Sequence, residues 1–296
     1  MTKDFEPQKG SGYHRPRLSP EEWKAQKQAE REELFQMIDE TAVELATDPE
    51  VLRGYLDTQS RMDRYSVANA LLIYRQYPRA RQLRDFESWA AEQISIQKGA
   101  KSIAVLEPVE YLKGDGSTGL SYHIKKMFDV SQTKARPQAY KPVSQNPRAL
   151  AAVMLDASPV EVCVEPQLPD PNMGAYFDER RRLLTVKRDL GDSVALCQSV
   201  AHELGHAQLA LTHPNYNRRD LGFQALCIGY MLCRKYGVDT QVFDPFCAPD
   251  AWKGMEARQI REELVSIRSA MQEIHGRVMQ EQSRKAQNRS QEPSGR

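Results

Sequence analysis

The residues with the plainest chemistry are His202, Glu203 and His206, in the run Val200-Ala201-His202-Glu203-Leu204-Gly205-His206-Ala207. This is an H-E-x-x-H motif, and its surroundings predict a helix over about residues 192–211. Residues four apart share a helix face, so the two imidazoles can meet one cation. Glu203, one residue after the first imidazole, is placed to take a proton from a metal-bound water and is the candidate general base. Zn²⁺ brings the pKa of such a water down to roughly 7, which makes it a usable nucleophile at neutral pH. The flanks Val200-Ala201 and Leu209-Ala210-Leu211 are apolar, as a buried site helix requires.

A catalytic zinc ion takes three protein ligands and keeps one position open. The metzincin spacing would put a third His at position 212, but Thr212 stands there and His213 falls one residue late. The third ligand is therefore expected on the next predicted helix, Gly222-Phe223-Gln224-Ala225-Leu226-Cys227-Ile228-Gly229-Tyr230 and onward. These paired helices resemble those of the ImmA/IrrE and ArdC-like metallopeptidases, in which a Glu of an E-A-x-x-x-A-type helix completes the metal site. The resemblance puts Gln224, followed by Ala225, at that position, a neutral amide in place of a carboxylate. Asp220, one turn earlier, and Cys227, three residues later, are the alternatives. The implied cofactor is Zn²⁺, and an active site of this kind would make the protein a zinc endopeptidase acting on a peptide or protein.

The chain of 296 residues is long enough for two domains, each with its own core. The expected class is α+β. Its net charge of +1 gives no overall bias toward a polyanion. Five cysteines without a C-x-x-C pair, several in apolar helical runs, point to reduced thiols in a cytoplasmic protein. Residues 1–18 are polar and read as disordered, with no apolar core of a signal peptide. No apolar run is long enough to cross a membrane.

Charge is divided along the chain. Residues 19–60 carry 4 Lys and Arg against 11 Asp and Glu, whereas residues 61–150 carry 15 against 8. The first block predicts a helix opened by Ser19-Pro20-Glu21-Glu22 and a second over about 49–59. The basic block predicts helices over about 66–76 and 86–93, then a hairpin of strands 103–109 and 121–129 around Gly114-Asp115-Gly116. It contains Tyr65-Ser66-x-x-Asn69-x-Leu71-Leu72-Ile73, then Gln76-x-Pro78-x-Ala80, Phe86-x-x-Trp89, and Lys98-Gly99-x-Lys101-x-Ile103 leading to Pro108.

That constellation resembles the N-terminal single-stranded-DNA-binding domain of the ArdC antirestriction family. The chain departs from it at Ala100 and Ser102, where relatives usually carry Glu and Gly. Val130-Ser131-Gln132-Thr133 fits relatives encoded on conjugative elements of Gram-positive bacteria. The resemblance implies a partner, single-stranded DNA, bound during conjugation to protect it from restriction. A basic groove tracks phosphates and aromatic faces stack on unpaired bases. The candidate contacts are Tyr65, Asn69, Arg75, Arg79, Arg81, Trp89, Lys98 and Lys101. For Trp89 the core, and for Asn69 a cap or a loop bridge, are equally open roles.

The expected organisation is a single-stranded-DNA-binding domain over 19–132, a linker over 133–146, and a zincin-like domain over 147–279 with a disordered tail after it. In the second domain a helix over about 148–155, a strand over 160–164 and a hairpin over 174–186 precede the H-E-x-x-H helix. An edge strand there could hold an extended peptide. Three functions compete: a mobile-element DNA-binding protein carrying a zincin domain, a working endopeptidase that cleaves a regulatory protein, and a non-catalytic binding protein with a vestigial zincin fold.

Overall fold

In the computed structural model, residues 19–135, 146–244 and 247–291 are described. The expected disorder of residues 1–18 and most of the expected linker lie outside these residues. Helix α1 (Pro20–Leu45) begins as its sequence dictates: Ser19 and Glu22 form a reciprocal capping box and Pro20 needs no amide partner at the first position. Asp48 caps α2 (Pro49–Arg61) and Ser66 caps α3 (Val67–Gln76). After the short strand β1 (Leu83–Asp85) and helix α4 (Phe86–Ala91), β2 (Ile103–Leu112) and β3 (Thr118–Asp129) form a long hairpin. The sheet order is β1-β3-β2, all antiparallel.

The outer edge of β2 would expose unpaired backbone groups. Two amide side chains of α3 cover it. Asn69 accepts from the Leu106 N–H at 2.8 Å and donates to the Leu106 carbonyl at 2.9 Å. Gln76 makes the same pair of bonds to Ala104, both at 2.9 Å. Seven residues apart, the two amides lie on one helix face and meet alternate residues of the strand. Asn69→Ala is expected to cost about 1–3 kcal/mol, because both backbone groups of Leu106 lose their partner. Urea unfolding checks the size of the loss, and faster amide exchange at Leu106 checks its place.

In the second half, α5 (Pro147–Asp156) leads into a sheet of order β4-β6-β5, with β4 (Glu161–Glu165) parallel and β5 (Ala175–Asp178) antiparallel to β6 (Leu183–Lys187). Helices α6 (Ser193–Thr212), α7 (Gly222–Tyr236) and α8 (Ala257–Gln291) follow. α8 extends to Gln291, well into the segment from residue 280 expected to be a disordered tail, whose last five residues lie outside those described. That segment carries Gln, Arg, Lys and Ala, with no Gly or Pro before Pro293, and pairs Arg284 with Glu281 and Lys285 with Asp156.

The expectation of a separate core for each half is corrected. Leu52, Leu56 and Leu71 of the N-terminal helices belong to one buried cluster with Ile228 and Met231 of α7 and Ile267, Met271 and Ile274 of α8. Polar staples reinforce the seam: Asp57 accepts from Tyr230 at 2.7 Å and from Arg234 at 2.6 and 2.8 Å. A smaller cluster, with Met62, Ile73, Ile103, Val105 and Met127, fills the space beneath the first sheet. All five cysteines are free, and among the described residues no helix is long and apolar enough to cross a membrane.

Candidate metal centre and nucleic-acid surface

α6 is capped by Asp192 and runs through the core with Val200, Ala201, Leu204 and Ala207 fully buried. It packs on α7 at glycine distance: a Cβ on Gly229 would stand 2.9 Å from the His202 Cα, and one on Gly205 3.0 Å from the Ala225 carbonyl oxygen. This close approach brings His202 and His206 to an open cavity of about 720 Å³ beside α7. Phe223, Leu226, Glu179 and Arg218 also line it. The two imidazole rings are 4.9 Å apart, and the nearest donor atoms of His202, Glu203 and His206 all lie within 4.8 Å of one another.

His206 is oriented from behind. Its Nδ1 is 2.8 Å from the Tyr216 hydroxyl, which leaves Nε2 as the nitrogen free for a cation. Burial pushes the Tyr216 phenol above its ordinary range, so the hydroxyl stays protonated. Burial, together with the charge of Arg218 and the neighbouring His202, pushes His206 down to about 2. Burial also lowers His202, and it lowers His275 to about 4. All three rings are therefore neutral at pH 7.

A pH dependence of stability follows. These histidines take up protons more readily unfolded than folded, so stability is present above the unfolded value near 6.5 and falls as pH drops below it. Between pH 7 and pH 5, His206 alone accounts for about 2 kcal/mol, and His275, whose ring is partly exposed, for less. Urea titrations of the metal-free protein at the two pH values measure this directly.

Glu203 has an environment that the sequence reading did not foresee. Its carboxylate is 2% exposed and accepts three hydrogen bonds. Arg218 donates through Nη1 at 2.8 Å and Nη2 at 2.6 Å, and the Phe177 amide donates at 2.7 Å. Arg218 also lies 4.9 Å over the Tyr176 ring and reaches the Phe177 carbonyl at 3.4 Å. Phe177 sits on β5, the edge of its sheet, and there its backbone N–H and carbonyl are taken by Glu203 and Arg218. Tyr216 and Arg218 come from the loop between α6 and α7, read from sequence only as a connection. One signal was available: a carboxylate on an apolar helix needs a cation nearby.

None of the three candidates for a further ligand lines the cavity. Gln224 is buried; its amide nitrogen donates to Glu263 of α8 at 2.9 Å, and its amide oxygen, shielded from solvent, has no hydrogen-bond partner among the described residues. Cys227 is fully buried, with its thiol pushed well above its ordinary range by burial. Asp220 is exposed and does not line the cavity. The residues present fit a divalent ion held by two imidazole nitrogens, with solvent or a bound anion completing its coordination. The cluster of possible donors among the described residues is His202, Glu203 and His206, and Arg218 holds the Glu203 carboxylate.

The candidate nucleic-acid contacts fall into separate places. Tyr65 and Arg81 line a cavity of about 440 Å³ with Arg61 and Arg64, and Arg79 and Arg81 line an adjoining one of about 420 Å³ with Arg61 and Arg234. The sequence reading missed Arg61, Arg64 and Arg234 because only the fold brings α2 and α7 to this groove. Lys98 and Lys101 are exposed in the loop before β2. Arg75 pairs with Glu44 of α1 at 2.9 Å. Asn69 has the clamping role described above. Trp89 is 2% exposed, donates to the Phe128 carbonyl at 3.0 Å and carries Arg84 over its ring.

No protein-family model and no curated protein matches the sequence. Among the solved structures that match the fold are two of the antirestriction protein ArdC from plasmid R388. The metal-free form aligns over 73% of this chain and 86% of its own, with a TM-score of 0.52 and 14% identity. The Mn(II)-bound form aligns over 72% and 85%, with a TM-score of 0.51 and 13% identity. The chain therefore has an ArdC-like fold, one in which a solved relative holds a divalent metal ion.

Proposed function

We propose that this protein is an antirestriction-type protein of a mobile element that binds single-stranded DNA through its N-terminal half and holds a divalent metal ion at His202 and His206. The observation that carries the reading is the pair of neutral imidazoles at the mouth of an open cavity, on a fold shared with an antirestriction protein solved with Mn(II). The arginine groove supports the DNA half, since the exposed Arg64, Arg79 and Arg81 offer phosphate partners beside the half-buried Tyr65, while Arg234 is held by Asp57 and Arg61 by the carbonyls of Pro78 and Ala80.

His202 and the Nε2 of His206 would hold the ion, and Tyr216 fixes the ring of His206. A bound divalent ion supplies Lewis acidity and a water of lowered pKa. The endopeptidase reading requires an unencumbered Glu203, and the Arg218 clamp occupies its carboxylate while the two residues together engage the edge backbone at Phe177. Zincin ancestry without peptide cleavage is the reading we favour.

The test takes wild-type protein and His202→Ala through two titrations. Calorimetry with Zn²⁺ or Mn²⁺ is expected to show about one ion per chain in the wild type and none in the variant. Fluorescence anisotropy with a labelled oligo-dT is expected to give similar affinities for both proteins, each weakening steeply between 50 and 200 mM salt. Absence of oligonucleotide binding at low salt, or binding indifferent to salt, overturns the DNA assignment. Metal uptake that survives His202→Ala overturns the metal site.

A further inference from the structure

A cleft of about 390 Å³ lies between the first half of α1 and strand β3, apart from the arginine groove and from the metal centre. Trp23, Lys27 and Arg31 of α1 stand four residues apart on one helix face, with Lys24 beside them. Tyr122, His123 and Ile124 of β3 form the opposite wall. Phe35 continues the helix stripe and packs edge-on against Tyr122, with ring centroids 5.8 Å apart.

A helix laid on a sheet normally buries such a stripe. Here Trp23 remains 55% exposed and Phe35 40% exposed, so the apolar walls are left open. Lys27 is satisfied by Glu30 at 2.6 Å, whereas Lys24 makes no ion pair among the described residues. Arg31 donates through Nη2 to Gln28 at 3.0 Å, but its Nε, shielded from solvent, has no hydrogen-bond partner among the described residues. A buried donor left without an acceptor is costly unless a ligand supplies one.

An open indole, a half-buried phenol ring across the cleft, cations beside them and an orphaned guanidinium donor form a set that suits an unpaired base with its flanking phosphate. We propose that this cleft is a second contact for single-stranded nucleic acid, in which Trp23 and Tyr122 stack on bases and Lys24 and Arg31 take the backbone phosphate. The inference rests on the single-stranded-DNA reading and adds a surface to it. The acidic balance of residues 19–60 hides the site, because three of its four cations, Lys24, Lys27 and Arg31, gather where α1 meets β3.

The full chain contains its own reporter. Of its three tryptophans, Trp89 and Trp252 are 2% and 3% exposed, so quenching by iodide reads Trp23. A 12-nucleotide oligo-dT is expected to protect that fluorescence from iodide as it saturates the protein. Trp23→Ala is expected to weaken oligonucleotide binding roughly tenfold or more, while Trp23→Phe, which keeps an aromatic face, retains most of it. Lys24→Gln combined with Arg31→Gln is expected to lower the salt slope by about one, a readout that does not depend on how Trp23→Ala folds. If the oligonucleotide saturates the wild type with iodide quenching, affinity in Trp23→Ala and the salt slope all unchanged, this cleft is no contact and the broader DNA reading stands. If the wild type binds no oligonucleotide at 50 mM salt, both fail together.

Discussion

Replacing Arg218 with alanine is expected to destabilise the protein by about 3–5 kcal/mol, the largest effect of any single substitution at the metal centre. The reason lies in what is left behind. Glu203 is 2% exposed and would keep only the Phe177 amide as a donor, having lost two charge-assisted bonds of 2.6 and 2.8 Å. The Arg218 side chain is itself 24% exposed, which puts the effect toward the lower end of that range. Urea unfolding of Arg218→Ala at pH 7, referred to wild type, measures this. A second variant, Arg218→Met with Glu203→Leu, removes both charges and is expected to recover much of the lost stability. A loss below about 1 kcal/mol at pH 7 would mean that the pair behaves as a surface ion pair and the clamp is incidental.

The clamp also shows why parts of the site were legible in the sequence and parts were not. The spacing of His202 and His206 is a property of one helix, and capping residues such as Ser19, Asp48 and Asp192 act within their own first turn. Local signals of that kind survive translation into structure. The contact between Glu203 and Arg218, by contrast, closes a loop whose geometry depends on where α7 docks, and no periodicity encodes it. Asn69 is an intermediate case. A polar residue in an apolar helix marks a partner somewhere, and only the register of β2 against α3 identifies it as Leu106. Gln224 illustrates the opposite hazard. A family pattern carries a residue to a position in a helix, but not to a face: the nitrogen of this glutamine donates to Glu263 of α8, and its oxygen has no hydrogen-bond partner among the described residues. The expected division into two cores failed for a related reason, since each half shows a complete set of apolar faces and the sequence does not say that α2 and α7 share theirs.

Glycine at the crossing of α6 and α7 sets up the second large effect. Gly229→Ala is expected to cost about 1–3 kcal/mol and to weaken metal binding roughly tenfold. The added methyl would meet the His202 Cα at 2.9 Å and its backbone nitrogen at 3.1 Å, so backbone in a buried helix pair must give way. Alanine's better helix propensity, up to about 1 kcal/mol, offsets part of that cost but does nothing for the displaced imidazole. Gly229→Val adds two more carbons at the same contact and is expected to cost more than about 3 kcal/mol. Gly222→Ala is the matched control, because a Cβ there meets nothing within 4 Å. It lies on the same helix and is expected to be neutral or stabilising by a few tenths of a kcal/mol. Urea midpoints for the three variants give the stability order, and competition with a chromophoric chelator gives metal affinity. The decisive comparison is between the two readouts. If Gly229→Ala loses stability yet holds the ion as tightly as wild type, His202 is not a ligand, because the substitution acts on that residue's own backbone.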